Sequence, residues 1–337
     1  MPTNRPYSNQ GTAVRGGVPA PMVGPYAPQP VAGPARYRRR RSGGLSAFLQ
    51  GSAIGFVGGA VVMGLLAVSL LLFFPPQRTN ILLLGLDRRP DETTYATRSD
   101  TMILITVYPR GNTVGMLSIP RDLYVTLPDG STDRINTAFF FAEIEQTGSG
   151  PAAAMQTVRS NFGVDVHHYV RVDLAGFVRI IDALGGIDLN VPAPLIDDAY
   201  PTYDYGTTTV AFVAGQQHMD GDRALAYARI RHGSSDLQRA GRQQLVIVAA
   251  LQRLLQPSAW LRLPLIAVAV QQSIDTDLSP LDLIRLAPTL LWVGPGKIER
   301  AVIEGDMVEP TITDGGADVL LPVWANINPV LKRMFGQ

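Results

Sequence analysis

The chain has 337 residues, of which 46% are hydrophobic, a size and composition that suit one large globular domain or two small ones. It contains no cysteine, which excludes disulfide bonds and thiolate metal sites. The net charge of +1 is unevenly spread, because residues 1–44 carry seven arginines and no acidic residue and leave −6 for residues 45–337.

The basic N-terminal segment is rich in proline and glycine and has almost no periodic apolar residues. Because such a composition cannot bury an apolar core, we predict that residues 1–44 are a disordered tail. Residues 42–77 carry no charge, and within them residues 53–74 form a continuous apolar, glycine-rich run. As a helix this run would be about 33 Å long, close to the hydrocarbon thickness of a bilayer.

This apolar run could be a transmembrane anchor or the apolar part of a cleaved signal peptide. A cleaved signal peptide would have a shorter apolar region nearer the N-terminus and a small-residue exit, whereas this run is followed by Pro75 and Pro76. The arginines that precede the run predict a cytoplasmic N-terminus, because positive flanks stay on that side of the membrane. We therefore predict a transmembrane signal anchor at residues 45–77 and an extracytoplasmic domain at residues 78–337.

Downstream of the anchor the apolar pattern is that of a globular domain. Short apolar runs predict strands at residues 80–86, 101–108, 113–119, 167–173 and 186–191, and an edge strand at 299–305. Periodic apolar faces predict helices at residues 150–161, 174–186, 221–230, 236–255, 263–273 and 280–291. The alternation predicts a single α/β domain with a mixed central sheet, flanked by helices on both faces and preceded by one transmembrane helix.

Charged side chains follow the first predicted strand and precede the second. Asp87 comes directly after the first strand, and Arg98 and Asp100 stand directly before the next one. Ligands of α/β proteins collect at such strand ends. Carboxylate oxygens without histidine or cysteine suit Mg²⁺, Ca²⁺ or Mn²⁺ and argue against zinc. The competing interpretation is that both aspartates cap turns and pair with the neighbouring arginines.

Two further loops carry cations. Arg121 follows Pro120 at the end of the third strand, which favours a rigid phosphate ligand. A local ion pair with Asp122 would explain the same arginine. Arg134 adds one more cation in a turn that also contains Asn136.

The densest group of cations lies between residues 229 and 244. Its four arginines, one acidic residue and two glutamines are Arg229, Arg231, Arg239, Arg242, Asp236, Gln243 and Gln244. Guanidinium groups bind phosphate oxygens through two parallel hydrogen bonds, so the cluster suits a pyrophosphate. A solvated helix face with intrahelical ion pairs is the alternative. The apolar helices that follow form either ordinary core or a hydrophobic groove, and a groove beside a membrane favours a lipid-linked diphosphate as substrate.

Six motifs, in order, resemble those of the LytR–CpsA–Psr family: ILLLGLD, RSDTMIL, SIPRDLYV, RINTAF, YVRVDLAGFVRIIDALGGIDLNVP and MDGDRALAYARIRHGSSDLQRAGRQQ. They cover about residues 80–255. The resemblance implies a bacterial α/β domain outside the cytoplasmic membrane. It further implies an enzyme that transfers a glycopolymer, such as teichoic acid or capsule, from a polyprenyl pyrophosphate carrier to peptidoglycan. Its implied cofactor is Mg²⁺, with Mn²⁺ as the alternative, and the prenyl chain is implied to run through an apolar tunnel.

The resemblance also assigns roles to individual residues. Asp87 and Asp100 match the metal-coordinating aspartates. The positions that match ligands of the substrate pyrophosphate are Arg98, Arg121, Arg134, Arg229, Arg231, Arg239 and Gln243. The positions that match catalytic groups are Arg229, Arg231 and Asp236, the last as a candidate for orienting or deprotonating the acceptor hydroxyl. Arg134 stands where the family commonly has lysine, which keeps the charge but changes the geometry. For Arg242, ordinary helix surface stays open.

Two other classes of function stay open on the sequence. One is a non-catalytic protein that binds lipid-linked cell-wall precursors, and the other is a membrane-bound transcriptional attenuator, the historical label of the family. Membrane topology explains the basic tail and no recognition helix is visible, so we predict no nucleic-acid partner. The predicted partners are the polyprenyl-linked glycopolymer, the peptidoglycan acceptor and the membrane. Water as acceptor would give a pyrophosphatase side activity.

Overall fold

A computed structural model of the chain describes residues 59, 62–64, 77–88, 97–202, 206–230 and 236–336. Contacts divide the chain into two units, residues 1–61 and residues 62–337, and the fold is that of the second unit. None of the helices among the described residues has the length and apolar character needed to cross a membrane. The predicted anchor core and the predicted tail lie almost entirely outside the described residues, and both stay predictions.

The described residues form short strands and mostly short helices. The strands are β1 (Thr79–Leu86), β2 (Ser99–Tyr108), β3 (Thr113–Ile119), β4 (Tyr124–Thr126), β5 (Thr132–Arg134), β6 (His168–Asp173), β7 (Ile187–Val191), β8 (Leu195–Pro201), β9 (Thr207–Phe212), β10 (Gly215–Met219), β11 (Ile274–Thr276), β12 (Glu299–Val302), β13 (Val308–Ile312) and β14 (Asp318–Pro322). The helices are α1 (Thr137–Glu145), α2 (Gly150–Phe162), α3 (Leu174–Leu184), α4 (Gly221–Arg229), α5 (Asp236–Leu255), α6 (Pro257–Trp260), α7 (Leu263–Ser273), α8 (Pro280–Val293) and α9 (Trp324–Phe335).

Six strands form the central sheet, in the order β11-β6-β1-β2-β3-β12. The pairs β1–β6 and β3–β12 are parallel, and the other three neighbouring pairs are antiparallel. The predicted mixed α/β fold is therefore confirmed. The other strands pair in two-stranded sheets, β4 with β5, β7 with β10, β8 with β9, and β13 with β14.

The central sheet buries alternate residues of the same strand on its two faces. In β1, the side chains of Leu82, Leu84 and Leu86 lie in the larger core with residues of α1, α2 and α9. The side chain of Ile81 lies in a smaller core with Leu286 of α8. Because side chains on both faces of the sheet are buried, the sequence of β1 is a nearly continuous apolar run and does not alternate between apolar and polar residues.

A third core joins α3, α4 and α5 to the two-stranded sheet of β7 and β10. Its centre is Tyr227 of α4, which is fully buried and meets Phe212 edge to face at 5.3 Å between ring centroids. Helix α3 begins where the Asp173 side chain accepts a hydrogen bond from the Gly176 amide, and ends at Gly185 with φ of 81°. Arg229 at the end of α4 contacts Asp87, which follows directly after β1.

Every predicted strand and helix is present, and all but the edge strand at 299–305 end within two residues of the prediction. The elements that were not predicted are helices α1, α6 and α9, strands β10 and β11, and the hairpins β4–β5, β8–β9 and β13–β14. Neither α1 nor α9 has a side chain that caps its N-terminus, and α9 contains Pro329. Strand β9 is mostly exposed and therefore lacks an alternating pattern of buried apolar residues. Tertiary contacts help to specify these elements where capping residues or apolar alternation are missing.

Candidate active site

The charged loops of the sequence meet at one edge of the central sheet. The register places Leu86, the last residue of β1, beside Ser99 of β2 and beside Asp173 at the end of β6. Asp87 follows directly after β1, as predicted, and Asp100 is the second residue of β2, which begins two residues earlier than predicted. Three carboxylates from three adjacent strands are thereby brought to one edge.

A cleft with about 810 Å³ of open space lies against this edge. Its charged and amide side chains are Asp87, Asp100, Asp173, Arg229, Arg239 and Gln243. Its apolar residues are Leu83, Leu86, Val172, Leu174, Phe177, Leu225, Ala228, Val246 and Ile247. Charges of both signs therefore adjoin an extended apolar wall, an arrangement that suits a ligand with an anionic group and a hydrocarbon chain.

Arg229, the last residue of α4, is held by Asp87. Its Nη2 donates to both carboxylate oxygens at 3.0 Å, and its guanidinium carbon lies 6.0 Å from the centre of the Tyr200 ring. Burial acts to lower the pKa of Arg229, but the negative charge of Asp87 and the contact with Tyr200 raise it overall. The guanidinium is therefore a permanent, oriented cation at the edge of the cleft.

Arg121 is held in the same way by the second predicted metal ligand. Its Nη1 donates to Asp100 at 3.2 Å and its Nε donates to Asp122 at 3.3 Å. A smaller cleft of about 480 Å³ lies here and shares Asp100, Arg239 and Gln243 with the first one. The ion pair between Arg121 and Asp122, which the sequence left open, is thus present. Arg121 also lies at the site, as predicted from its position after β3.

Helix α5 contributes one face to both clefts. Arg239 and Gln243 are four residues apart, so they stand one above the other on the helix, and both line both clefts. Gln244 lies on another face and ties the helix to the sheet, since its Nε2 donates to the Ser118 hydroxyl at 2.9 Å and the Ala301 carbonyl at 2.8 Å. The first turns of α5 therefore present an arginine and an amide to the same space.

Arg242 does not lie on the solvent-exposed surface of α5, which was the alternative that the sequence left open. It is only 5% exposed, and its guanidinium donates to the carbonyl oxygens of Tyr227, at 3.0 Å, and Ile230. Burial lowers its pKa. Arg242 therefore closes the C-terminal end of α4 and positions the turn that carries Arg229.

We expect Arg242→Met to lower the free energy of unfolding by about 1–3 kcal/mol, because two buried carbonyl groups lose their donor. Urea unfolding followed by circular dichroism measures the change. Gln252→Ala, an exposed position on the same helix, is the control and should leave the unfolding midpoint in place. An unchanged midpoint for Arg242→Met would show that these carbonyl contacts contribute nothing to stability.

Two of the predicted phosphate ligands contact other groups. Arg98 is exposed, and its guanidinium lies 5.9 Å from the centre of the Phe140 ring. Arg134 donates to the Asp318 carbonyl at 2.7 Å and pairs with Asp122 at 3.4 Å. Neither side chain lines the two clefts in the part of the chain that the structure describes. Their roles at a phosphate stay predictions.

Two predicted catalytic residues lie at the limit of the described chain. Arg231 is outside the described residues. Asp236 is the first residue of α5, but its side chain is not among those described. The predicted roles of both residues are therefore untested.

The two predicted metal ligands, Asp87 and Asp100, line the same cleft. No group of three or more histidine, cysteine, aspartate or glutamate residues that could hold a metal occurs within the described ranges. Two carboxylates still fit Mg²⁺, because this ion commonly binds through one or two carboxylates, water and substrate phosphates. The donor set is compatible with such an ion and gives no support for zinc.

The sequence analysis missed Asp173. One of its carboxylate oxygens caps α3 at the Gly176 amide, at 2.7 Å, and the other accepts a hydrogen bond from Arg88 Nη2 at 2.5 Å. An aspartate between a buried strand and an amphipathic helix is an N-cap signal. Its position directly after a predicted strand made it a candidate, but only the pairing of β6 with β1 places it at the site.

Comparison with known proteins gives consistent matches. The sequence matches the model of the LytR_cpsA_psr family over residues 75–333. It is 38% identical over 201 residues to the polyisoprenyl-teichoic acid–peptidoglycan teichoic acid transferase TagU of Oceanobacillus iheyensis, covering 59% of this chain and 58% of that protein. It is 33% identical over 211 residues to the TagU protein of Enterococcus faecalis, covering 62% of this chain and 64% of that protein.

The matched region is thus less than two thirds of the length of these relatives. Among solved structures, the fold is similar to that of TagV from B. subtilis, with a TM-score of 0.61 and 26% sequence identity. That similarity covers 77% of this chain and 98% of TagV.

Proposed function

Because this chain belongs to the LytR–CpsA–Psr family, we propose that it transfers a glycopolymer from a polyprenyl pyrophosphate carrier to peptidoglycan. The observation that carries the proposal is the cleft in which Asp87, Asp100, Arg229 and Arg239 adjoin an apolar wall. The names of the TagU relatives, which describe transfer of teichoic acid from a polyisoprenyl carrier to peptidoglycan, support the same reaction class. Teichoic acid is therefore the first polymer to test.

The cleft offers complementary binding to both halves of such a donor. Arg229 and Arg239 provide planar donors for the pyrophosphate oxygens, and the amide of Gln243 adds a neutral donor. The apolar residues of β1, α3, α4 and α5 provide the surface against which a prenyl chain loses contact with water. We therefore place the pyrophosphate at the sheet edge and the first isoprene units along the apolar wall.

The proposed reaction is a substitution at the phosphorus nearer the sugar. The acceptor hydroxyl forms a new oxygen–phosphorus bond, the bond from this phosphorus to the bridging oxygen breaks, and polyprenyl phosphate leaves. Arg229 and Arg121 stabilise the negative charge that develops on the phosphoryl oxygens. Asp236, named from the family motif, is our proposed acceptor of the hydroxyl proton.

We further propose that Asp87 and Asp100 hold a Mg²⁺ ion, which when bound supplies positive charge beside the phosphates. Both carboxylates already face cations, Arg229 at 3.0 Å and Arg121 at 3.2 Å. A ligand that draws these arginines to its phosphates would leave the aspartate oxygens for the ion. Such an exchange of partners would couple donor binding to metal binding.

We expect Asp100→Asn to raise the Mg²⁺ concentration needed for half-maximal transfer by roughly tenfold or more, because even indirect ligands of metal sites contribute that much. Initial rates over a Mg²⁺ titration measure the shift. Asp129→Asn, an exposed loop aspartate, is the matched control and should leave the titration unchanged. An unaltered metal dependence in Asp100→Asn would exclude Asp100 as a ligand.

The activity itself is tested with the full-length purified chain, a radiolabelled polyprenyl-linked teichoic acid, peptidoglycan and Mg²⁺. Radiolabel covalently attached to peptidoglycan is the expected product. Donor binding without any product would instead indicate a binding protein, and free polymer in solution would indicate water as the acceptor. Either of these two outcomes contradicts the proposed transfer.

We propose that the chain is a single-pass protein of the bacterial cytoplasmic membrane, with its catalytic domain at residues 78–337 outside the cytoplasm. The apolar run at residues 53–74 and the arginines before it support this topology. Protease added to intact spheroplasts should digest the domain and spare the N-terminal tail. Digestion of the tail alone would reverse the topology.

A further inference from the structure

Helix α8 has an apolar surface on both sides. Its inner face buries Leu286, Thr289 and Val293. The residues on its outer face, at helical spacing, are Leu281, Ile284, Pro288, Leu291 and Trp292. Ile284 is 60% exposed, Leu291 61% and Trp292 78%. The charged residues of α8 are Arg285, which is exposed, and Asp282 in the first turn.

An outer helix face of this kind is unusual for a surface exposed to water. A helix at the surface of a domain normally carries polar residues on the side away from the core. Contiguous exposed apolar patches mark sites that contact a membrane, a ligand or another protein. Helix α8 therefore needs a partner of low polarity.

The position of α8 in the fold indicates which partner this is. Leu286 and Val293 on its inner face belong to one small core with Ile81, Val107 and Val114. Ile81 is the third residue of β1, so α8 covers the end of the sheet at which the chain enters the domain. Asp87 and the candidate active site lie at the other end of β1, roughly 20 Å away at the rise of a strand.

The length of the connecting chain limits how far this end can stand from a bilayer. The apolar run ends at Phe74, and β1 begins at Thr79. Five residues span at most about 18 Å even when fully extended. If residues 53–74 cross the membrane, the entry end of the sheet, with α8 beside it, lies within reach of the outer lipid surface.

We propose that the outer face of α8 rests on the lipid bilayer, with Trp292 at the level of the headgroups. Tryptophan is enriched at this depth because its ring is apolar and its N–H is polar. Arg285 on the same face, and Lys297 in the turn after the helix, are exposed cations that reach anionic headgroups. The proposal rests on the membrane anchor proposed above.

Such docking orients the whole domain. With α8 on the lipid, the charged edge of the sheet faces away from the bilayer. A donor must then lift part of its prenyl chain out of the membrane before its pyrophosphate reaches Arg229. The apolar wall of the cleft is the surface that compensates for this transfer.

The test uses the full-length chain in lipid nanodiscs that contain brominated phosphatidylglycerol, a quencher of nearby tryptophan. The chain has three tryptophans, at positions 260, 292 and 324. The double variant Trp260→Phe/Trp324→Phe keeps Trp292, and its emission should be largely quenched. The matched control Trp260→Phe/Trp292→Phe keeps Trp324, which packs edge to face on Phe162 at 5.3 Å and should stay unquenched.

A second comparison separates docking from simple proximity. In the background that keeps Trp292, Ile284→Glu/Leu291→Glu should abolish quenching, whereas Ile312→Glu, at an equally exposed apolar residue in β13, should leave it unchanged. Circular dichroism on each variant verifies that the fold is retained. Quenching that survives the α8 substitutions contradicts the proposal.

The remaining outcomes distinguish this proposal from those on which it rests. A chain that alkaline carbonate strips from membranes lacks the anchor, and the docking proposal then fails with it. A chain that stays inserted but leaves Trp292 unquenched keeps the anchor and overturns the docking alone. If Trp292 is instead protected only when two chains share one nanodisc, the partner of α8 is a second copy and the lipid proposal is wrong.

Discussion

Arg229→Ala is expected to lower the rate of polymer transfer by about 100- to 1000-fold, the loss seen when one preorganised donor to a developing charge is removed. Arg229 is the cation that Asp87 orients at 3.0 Å, at the junction of α4 with the end of β1. The variant removes a proposed phosphate ligand and also leaves Asp87 without this partner. Initial rates with the polyprenyl-linked donor and peptidoglycan measure the effect.

Two further variants define what Arg229 contributes. Arg229→Lys keeps the charge but not the planar fork, so it should recover only part of the activity. Arg333→Ala removes an arginine whose ion pair with Glu299 is exposed, and should transfer polymer at the normal rate. A normal rate of transfer by Arg229→Ala would contradict the proposed mechanism, because the cleft would then catalyse transfer without this cation.

Arg171→Met is expected to lower the free energy of unfolding by about 3–5 kcal/mol, because it leaves a buried carboxylate without its counter-charge. Arg171 lies in the middle of β6 and is 8% exposed. Its Nη1 contacts Glu143 at 3.0 Å and its Nη2 contacts Asp275 at 2.7 Å. Glu143 is itself buried and accepts hydrogen bonds from the amides of Gly148 and Gly150.

Thermal and urea unfolding of two companion variants test this explanation. Arg171→Met/Glu143→Gln removes both charges but keeps only one oxygen for the two glycine amides, which contact different oxygens of Glu143. It should therefore recover part of the lost stability. Arg333→Met breaks an exposed pair and should cost about 1 kcal/mol or less. If Arg171→Met unfolds within 1 kcal/mol of the native chain, the Glu143 carboxylate is not held by Arg171.

Much of the fold was predictable because its central elements carry local signals. Strand β1 is a continuous apolar run since helices cover both faces of the sheet, and α5 and α7 begin and end at the predicted residues. Helix α9 was not predicted, because Pro329 lies inside it and no side chain caps its N-terminus. Its apolar face, with Ile327 and Leu331, is specified by packing on the larger core.

The candidate site was predictable in part for a similar reason. Asp87, Asp100 and Arg121 end or begin neighbouring strands, and antiparallel pairing brings such ends together. Arg239 and Gln243 were predicted from the arginine-rich cluster at residues 229–244 and from the family motif that it resembles. For Arg242, in the same cluster, the sequence left ordinary helix surface open, because its contact with the Tyr227 and Ile230 carbonyls depends on how α5 crosses α4.

The sequence by itself determined the α/β class, the order of the elements and the chemical character of the site. These properties depend on apolar periodicity and on residue types near strand ends, which are local. Only the tertiary structure decided which arginine pairs with which carboxylate, that Asp173 lines the cleft with Asp87, and that Arg242 is buried. Those facts depend on contacts between residues far apart in the chain, whose distances are fixed only when the helices pack on the sheet.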